Sequence, residues 1–313
     1  MKVAIILFNL GGPDSLEAVK PFLRNLFSDP AIIGLPTWAR LPLARFIAWR
    51  RNAKAQGIYS KIGGSSPILG QTEAQARALE EVLGQGNGDE WRGYVCMRYW
   101  HPMTDRVVQS VKRFAPDRIV LLPLYPQFST TTTGSSFKAW KEAASFKVPT
   151  AEIESYPTDP GFIAASVELV KQGLAEAGDG KTRVLFSAHG LPEKIIKAGD
   201  PYQRHVEQTA RAIADAIGGG LDWAVCYQSR VGPLKWIGPP TEQEIVRAGR
   251  DGAKVVLYPL SFVSEHSETL VELDIDYRHL AEQAGVSKYV RVPTVGTHPK
   301  FIAGLAKLVR DAL

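Results

Sequence analysis

The sequence predicts an α/β protein made of two similar Rossmann-like domains, each containing a doubly wound parallel sheet. Three observations support this fold class. Short β-rich runs alternate with longer amphipathic segments along the 313 residues. The β-rich runs are almost continuously apolar, which is typical of parallel strands covered by helices on both faces. A series of motifs in the first half of the chain also recurs, in the same order, in the second half.

The predicted elements follow from this alternation, taken in chain order. The strands are VAIILFNL (3–10), RGYVCMRY (92–99), DRIVLLPLY (117–125), TAEIESY (150–156), TRVLFSA (182–188), LDWAVCYQS (221–229), AKVVLYPLS (253–261) and KYVRVPTV (288–295). Between them, amphipathic segments over 72–83, 159–178 and 200–219 are predicted as helices. The apolar segment from Pro299 to the end is predicted as the last helix.

The internal repeat predicts where the two domains meet. AIILFNLGGP (4–13) parallels VLFSAHGLP (184–192), YVCMRYWHP (94–102) parallels AVCYQSRVGP (224–233), and IVLLPLYPQFSTTTTGS (119–135) parallels VVLYPLSFVSEHSET (255–269). We therefore expect domains over 1–150 and 151–313, with the last helix packing back on the first domain. Ligands of such folds bind outside the carboxyl ends of the strands, so an active-site cleft between the domains is expected.

Composition excludes several classes of protein. The two cysteines, Cys96 and Cys226, are too few for a disulfide framework or a cysteine-held iron–sulfur cluster, and they indicate a reducing, cytoplasmic location. No apolar run approaches the length of a transmembrane helix, and the N-terminus lacks the cleavage site of a signal peptide. The net charge is +5, but no nucleic-acid-binding signature occurs, so nucleic acid is not an expected partner.

One histidine and one acidic segment are the main candidates for chemistry. His189 follows an apolar strand, and SFVSEHSETLVELDIDY (261–277) contains five carboxylates. Wound as an α-helix, this segment places Glu265, Glu268, Glu272 and Asp276 on one face. We expect His189 to face Glu268 across the cleft, where the pair would hold a divalent metal or accept protons, and the other three acids to relay protons to water. The alternatives are a structural histidine and a solvated acidic face.

A second group of residues predicts a pocket for a large planar anion. Its members are aromatic, cationic or hydroxyl side chains at strand ends in both halves: Arg98, Tyr99, Tyr125, Ser129, Thr130 and Trp236. Any one of them alone would more often belong to a core. Together they suggest a flat apolar slot with a cationic or hydroxyl rim.

Segment 30–54 does not fit an ordinary α/β crossover. It mixes several arginines with the apolar residues Trp38, Leu41, Leu43, Phe46 and Ile47. The segment is too short and too charged to span a bilayer, but it suits a lip that lies in a membrane interface with its arginines extended toward the headgroups. The alternative is an apolar crossover helix packed on the sheet.

Taken together, the motifs resemble those of the ferrochelatases, which insert ferrous iron into a porphyrin to complete haem. The resemblance covers essentially the whole chain and rests on LGGPDS, KIGGSSPI (61–68), MRYWHP, LPLYPQFSTTTTGS, FSAHGLP, QSRVGPLKWIGP and SEHSETLVELDIDY. It implies two Rossmann-like domains around a porphyrin cleft, with Fe²⁺ and protoporphyrin IX as substrates. It implies no nucleotide and no organic cofactor.

The resemblance also implies roles for individual residues. His189 corresponds to the family's catalytic histidine, assigned to metal binding or to pyrrole proton abstraction, and Glu268 corresponds to its partner across the macrocycle. The residues that correspond to the porphyrin pocket are Arg98, Tyr99 and Trp236. Segment 30–54 corresponds to a lip that meets the inner face of the cell membrane. Some members have cysteines for a [2Fe–2S] cluster and a dimer contact; these cysteines are missing here, so a monomer without a cluster is expected.

Two other functions remain open from the sequence. A cobalt- or nickel-inserting chelatase of the same architecture would share the histidine–glutamate pair, but the lip and the aromatic slot favour an apolar porphyrin over a many-carboxylate tetrapyrrole. A two-lobed protein that only binds porphyrin or haem would also place a cleft between α/β lobes. Simple binding would not require a stripe of proton-relaying acids.

Overall fold

The structure is a computed structural model that describes residues 1–85, 88–230 and 234–313. Its strands are β1 (Lys2–Asn9), β2 (Glu90–Met97), β3 (Arg118–Pro123), β4 (Thr150–Glu152), β5 (Thr182–His189), β6 (Asp222–Gln228), β7 (Lys254–Pro259) and β8 (Tyr289–Arg291). Its helices are α1 (Val19–Ser28), α2 (Thr37–Ser60), α3 (Ile68–Gly84), α4 (Thr104–Phe114), α5 (Ser135–Ala143), α6 (Pro160–Ala177), α7 (Glu193–Lys197), α8 (Tyr202–Ile217), α9 (Thr241–Arg250), α10 (Tyr277–Gln283) and α11 (Pro299–Asp311). Two π-helices span Thr130–Gly134 and Glu268–Asp276.

Two parallel four-stranded sheets confirm the predicted fold class. The first sheet has the order β2-β1-β3-β4 and the second the order β6-β5-β7-β8, and the strand pairings are parallel in both. Each predicted strand is present, with shifted ends. Every residue from Val3 to Leu7 in β1 has 0% exposure. A strand buried on both faces needs apolar side chains at consecutive positions, which explains the continuous apolar runs of the sequence.

The two sheets repeat one strand order, and the paired motifs lie on equivalent strands. The first pair of motifs falls on β1 and β5, the second on β2 and β6, and the third on β3 and β7. A π-helix follows the third strand of each set, β3 in one sheet and β7 in the other. Because π-helices are rare and frequently lie at functional sites, their recurrence marks the segments after these two strands as places to look for chemistry.

The boundary between the two units lies slightly later than residue 150. One unit contains Met1–Ser155 and Leu305–Leu313, and the other contains Tyr156–Gly304. The strand predicted over 150–156 lies at the expected meeting point of the domains; as β4 it pairs with β3 and belongs to the first sheet. The end of the chain packs in the first unit, where Arg118 Nη1 donates to Leu313 O (3.1 Å) and Arg310 Nη2 donates to Val82 O (2.9 Å).

Within the second unit, helix α6 and the first residues of α11 approach each other closely at a pair of glycines. Helix α6 begins after Asp159, whose Oδ1 accepts a hydrogen bond from Phe162 N (2.8 Å). A Cβ added at Gly161 would lie 2.7 Å from Gly304 Cα and 2.9 Å from Gly304 N. These are backbone atoms of α11, which cannot move aside as the end of a flexible side chain can. The crossing of α6 and α11 therefore requires a glycine at position 161.

We expect Gly161→Ala to lower the free energy of unfolding by about 1–3 kcal/mol, because the added methyl group would force the two backbones apart. The matched control is Gly57→Ala in α2, an exposed glycine whose added Cβ would meet no atom within 4 Å. That substitution should raise stability by up to about 1 kcal/mol through helix propensity. Urea unfolding measures both effects. Equal stability changes in the two variants would contradict the close crossing.

Candidate active site

His189 is the last residue of β5, so it stands at the carboxyl edge of the second sheet. The next residue, Gly190, donates its N–H to Gln228 O (2.9 Å). A Cβ at Gly190 would lie 2.9 Å from the same carbonyl oxygen and 3.3 Å from Cε3 of Trp236. Glycine therefore allows the chain to pass close to the end of β6 and to the indole ring. Trp236 therefore lies next to Gly190, the residue after His189.

Glu268 contacts His189 directly. Its Oε2 lies 2.9 Å from His189 Nδ1. Glu268 begins the second π-helix, which follows β7, and β7 is the neighbour of β5 in the sheet. The sequence predicted that the two side chains face each other across a macrocycle. That geometry is wrong, because a tetrapyrrole cannot fit between two atoms that are 2.9 Å apart. His189 ends β5 and Glu268 comes after β7, the neighbouring strand, so both side chains lie at the same edge of one sheet.

Two further donors hold the same carboxylate oxygen. Gln228 Nε2 lies 3.3 Å and Ser229 Oγ 3.1 Å from Glu268 Oε2. Ser187 Oγ donates to Gln228 Oε1 (2.7 Å), which turns the amide hydrogens of Gln228 toward Glu268. Ser187 and Gln228 both have 0% exposure. The position of the Glu268 carboxylate is therefore determined by buried groups at the ends of β5 and β6.

The contact between His189 and Glu268 changes the pKa of both side chains. Burial alone lowers the pKa of His189, but the charge of Glu268 and its hydrogen bond outweigh burial and raise that pKa above its usual value. Burial alone raises the pKa of Glu268, but the charge and hydrogen bond of His189 bring it below its usual range. The two side chains remain 37% and 27% exposed, so the pair is accessible.

The acidic face is formed by a π-helix and not by the α-helix that was assumed from the sequence. The N–H of Tyr277 donates to Glu272 O, five residues earlier. In this helix the carboxylates of Glu268 and Glu272 both reach Ser229 Oγ, and Ser229 N donates to Glu272 Oε1 (3.0 Å). Burial and the charge of Glu268 raise the pKa of Glu272. Asp276 lies at the exposed end of the helix.

Glu265 was predicted to share this face, but the π-helix begins only at Glu268. Glu265 Oε1 accepts hydrogen bonds from Arg291 Nη1 (2.6 Å) and from Thr294 N (3.0 Å). The side chains of Glu265 and Arg291 are 12% and 11% exposed, so this is a largely buried ion pair. Glu265 therefore joins the start of the acidic segment to the end of β8, and we remove it from the proposed relay.

In the first unit, Arg98 and Tyr99 share one buried carboxylate. Asp29 Oδ2 accepts hydrogen bonds from Arg98 Nη2 (2.7 Å), Tyr99 OH (2.8 Å) and Ser135 Oγ (2.5 Å). Tyr99 is only 1% exposed and packs with residues of α1 and α2, so its predicted place on the surface of a porphyrin pocket is wrong. The side chain of Arg98 is 22% exposed.

The hydroxyl-rich loop after β3 is mostly turned inward. Tyr125 is half-buried against the core of the first sheet. Ser129 is buried, and its Oγ accepts the N–H of Thr131 (3.1 Å), so that it caps the first π-helix. Thr130 is exposed. Of the three residues predicted here to contact a ligand, Thr130 is the most accessible.

Six residues that shape these networks were not predicted: Asp29, Ser135, Ser187, Arg291, Gln228 and Ser229. The last two belong to QSRVGPLKWIGP, and their position after an apolar strand was a usable signal. Residues 231–233 of that motif lie outside the described residues. No local pattern singles out Asp29, because Ser135, one of its partners, is 106 positions away.

The predicted lip, 30–54, includes most of α2, and its large apolar side chains point outward. The exposed ones within α2 are Trp38 (80%), Leu41 (39%), Leu43 (36%), Phe46 (56%) and Trp49 (61%), while Ile47 is half-buried; Ile32 and Leu35, before the helix, are exposed too. The residues buried in this part of the helix are the small Ala44 and Ala48. This distribution argues against the alternative of a crossover helix that packs its apolar face on the sheet.

Donors for a divalent metal are present at His189 and Glu268, as an imidazole nitrogen and carboxylate oxygens. Because Nδ1 contacts Glu268, Nε2 is the ring nitrogen that can face a substrate. In the described parts of the chain, no group of three or more His, Cys, Asp or Glu side chains is arranged to hold a metal ion. Within the same ranges, no helix has both the length and the apolar character needed to cross a membrane.

Comparison with known proteins gives a consistent result. The family model described as Ferrochelatase matches residues 2–313. A ferrochelatase of Caulobacter vibrioides is 54% identical over 314 residues, which cover 100% of this chain and 90% of the relative. A ferrochelatase of Phenylobacterium zucineum is 51% identical over 315 residues, with 100% and 92% covered. Among solved structures, SirB from Bacillus subtilis has a TM-score of 0.56 at 14% identity, covering 100% of this chain and 96% of SirB, which is a similarity of fold alone.

Removing the charge of Glu268 should lower the pKa of His189. In Glu268→Gln the attraction is lost while burial remains, so we expect this pKa to fall below the usual histidine value of about 6.5. NMR titration of the imidazole carbons measures the shift. His205 on α8, whose pKa is lowered by burial and by Arg204, is an internal reference that should not move. An unchanged His189 pKa would mean that the pair does not form in solution.

Proposed function

Because this chain belongs to the ferrochelatase family over residues 2–313, we propose that it is an enzyme that inserts ferrous iron into protoporphyrin IX, the step that completes haem. The observation that supports this proposal most directly is the contact between His189 and Glu268 at the carboxyl edge of the second sheet. An accessible imidazole whose pKa is raised by a carboxylate is a suitable base for the removal of pyrrole protons.

Metal insertion exchanges one divalent metal ion for the two protons of the pyrrole N–H groups. Charge is conserved in this exchange, so neither a nucleotide nor an organic cofactor is required. A planar macrocycle hides its nitrogen lone pairs in the ring plane, and a site complementary to a bent macrocycle therefore favours the transition state over the substrate. Besides bending the ring, the enzyme must supply a base and a route by which the protons leave.

His189 is the base in this proposal. With Nδ1–H donated to Glu268, the lone pair of Nε2 can accept a pyrrole proton. The imidazolium that forms is stabilised by the Glu268 carboxylate, the same interaction that raises the pKa of His189. The Nδ1 proton can then pass to Glu268 across the 2.9 Å contact. The pair accepts a proton without leaving an uncompensated charge in a partly buried site.

The same two side chains could instead bind the metal, and the two roles compete at one atom. An Nε2 that has just accepted a proton has no lone pair left for iron. We therefore assign His189 and Glu268 to proton removal and treat Fe²⁺ as a substrate whose ligands are mainly the porphyrin nitrogens.

The two alternative functions are less well supported. A cobalt- or nickel-inserting chelatase would use the same pair, but the family match covers nearly the whole chain, whereas the similarity to SirB is one of fold at 14% identity. A protein that only binds porphyrin would gain nothing from a second half-buried carboxyl group, Glu272, beside Glu268. Such a pair of acids has a cost in free energy unless one of them binds a proton.

We propose in addition that α2 lies on a membrane surface, where a poorly soluble porphyrin would arrive. Its exposed aromatic residues Trp38, Phe46 and Trp49 suit the headgroup region of a bilayer. Between Asp29 and Glu73 the sequence contains no acidic residue, while α2 includes four arginines and a lysine: Arg40, Arg45, Arg50, Arg51 and Lys54. This charge favours a surface of anionic lipids.

His189→Ala and Glu268→Gln should each lower the rate of metal insertion at least about 100-fold, within the range that general acid–base groups contribute. The visible spectrum of protoporphyrin, incubated with Fe²⁺ or with Zn²⁺ as a redox-stable probe, follows the reaction. The control is His279→Ala on α10, an exposed histidine next to Glu282, which should keep the wild-type rate. Wild-type turnover in either site variant, with folding intact by circular dichroism, would overturn the assignment.

Replacing Trp38, Phe46 and Trp49 together by serine should weaken binding to vesicles containing phosphatidylglycerol at least about tenfold, because three large apolar side chains no longer enter the interface. Cosedimentation with the vesicles measures the affinity. Leu234→Ser removes an apolar side chain that is 47% exposed outside α2, and it is the matched control. Equal binding by the triple variant and the wild type would refute the membrane contact.

A further inference from the structure

The hydroxyl of Ser229 lies between the two carboxylates of the second π-helix. Its Oγ is 3.1 Å from Glu268 Oε2 and also hydrogen-bonds Glu272 Oε2. The N–H of Ser229 donates to the other oxygen of Glu272, Oε1, at 3.0 Å. The backbone contact therefore holds Glu272 in place, and the hydroxyl connects it to Glu268.

The single hydroxyl hydrogen of Ser229 cannot be donated to both carboxylates at the same time. A serine hydroxyl has one hydrogen to donate and two lone pairs that accept. If Glu268 and Glu272 are both ionised, one of the two contacts brings lone pairs together without a hydrogen. If one of them is protonated, it donates to Ser229 Oγ, and Ser229 donates to the other. Burial and the charge of Glu268 raise the pKa of Glu272, whereas His189 lowers that of Glu268, so a proton shared by the two acids is held more strongly by Glu272.

The backbone at Ser229 indicates that the side chain itself is needed here. Its φ is +60°, and the other non-glycine residue with a positive φ in the described ranges is Ala115, at +52°. Glycine adopts this region without strain, whereas a Cβ is crowded there. Backbone strain of this kind is concentrated at functional sites. The hydroxyl is what Ser229 supplies and a glycine would not.

We propose that Ser229 passes protons from Glu268 to Glu272 during metal insertion, an inference that rests on the function proposed above. Protonated Glu268 gives its proton to Ser229 Oγ while the hydroxyl proton of Ser229 passes to Glu272 Oε2. One O–H bond breaks at Glu268 and one at Ser229, and one forms at Ser229 and one at Glu272. The serine is unchanged, Glu268 is ionised again, and the half-buried Glu272 releases its proton to water. His189 is left with the pyrrole proton on Nε2 and a lone pair on Nδ1, so it must lose the Nε2 proton to water before it accepts the second pyrrole proton.

The neighbouring groups favour this route over others. Gln228 contacts the same oxygen of Glu268, but its Oε1 is occupied by Ser187, so the amide presents hydrogens and cannot take up a proton. On the far side, Tyr277 OH donates to Glu272 Oε1 (3.2 Å), and burial raises its pKa, so the phenol stays neutral. The other titratable groups that face the relay are His189 on β5, Tyr202 on α8, Glu242 on α9 and His266 before the π-helix.

The sharpest test is Ser229→Gly, because it removes the hydroxyl and relieves the positive φ in one step. We expect the single-turnover rate of Zn²⁺ insertion into protoporphyrin to fall about 10- to 100-fold, with the affinity for porphyrin unchanged within about twofold. The variant should melt no lower than the wild type, since glycine suits this backbone. Ala115→Gly at the end of α4 relieves the other positive φ and should keep the wild-type rate.

Two readouts separate a proton relay from a structural role. At constant pH, the rate of Ser229→Gly should rise with the concentration of imidazole buffer, because the buffer can accept the proton that the hydroxyl no longer passes on. The wild-type rate should not depend on the buffer. Ser229→Cys keeps a weaker donor and acceptor and should fall between the glycine variant and the wild type.

A wild-type rate in Ser229→Gly, or a loss of porphyrin affinity alone, would overturn the relay. A rate that falls but does not respond to buffer would overturn it too, since it would indicate a structural role. The parent proposal is tested separately by His189→Ala. If that variant is inactive while Ser229→Gly is not, only the relay fails; if His189→Ala is fully active, the proposed function fails.

Discussion

The hydrogen bond between His189 Nδ1 and Glu268 Oε2 is the interaction on which the site depends. It forms because β5 and β7 are adjacent parallel strands, so that the last residue of one and the helix after the other come out at the same edge of the sheet. Burial lowers the pKa of His189 and raises that of Glu268, and each partner shifts the pKa of the other in the opposite direction. A buried imidazole alone would lose basicity and a buried carboxyl group alone would stay protonated, whereas the pair keeps a basic imidazole beside an ionised carboxylate.

The two halves of the chain use one scaffold for different tasks. In the paired motifs LGGP and HGLP, Leu10 stands where the second half has His189, and Thr130 begins the first π-helix as Glu268 begins the second. The first unit instead places a buried carboxylate, Asp29, among Arg98, Tyr99 and Ser135. This network ties the segment before α2 to the residues after β2 and to the start of α5. Proton-accepting groups are thus concentrated in the second half, and the first half supports the exposed helix.

Helix α2 shows a conflict between stability and function. Packing would favour its tryptophans and phenylalanine inside and its alanines outside, yet Ala44 and Ala48 are buried while Trp38 and Trp49 are more than half exposed. Exposed aromatic rings do not contribute their apolar area to folding. Such a surface on a soluble domain usually marks a place of contact with a partner or a membrane. The acidic π-helix shows a similar conflict, because Glu268 and Glu272 repel each other unless a proton is shared between them.

The sequence by itself determined the fold class, because strands buried on both faces must be apolar at consecutive positions. The repeated motifs also predicted that His189 and the acidic segment follow strands of the same half. Only the tertiary structure decided that His189 touches Glu268, that Glu265 pairs with Arg291, and that Tyr99 is buried against Asp29. These contacts join residues 79, 26 and 70 positions apart, and the widened turn of the π-helix replaces the assumed α-helical face. The periodicity of neighbouring residues in the sequence does not predict such contacts, because they depend on strand order and on the packing of distant side chains.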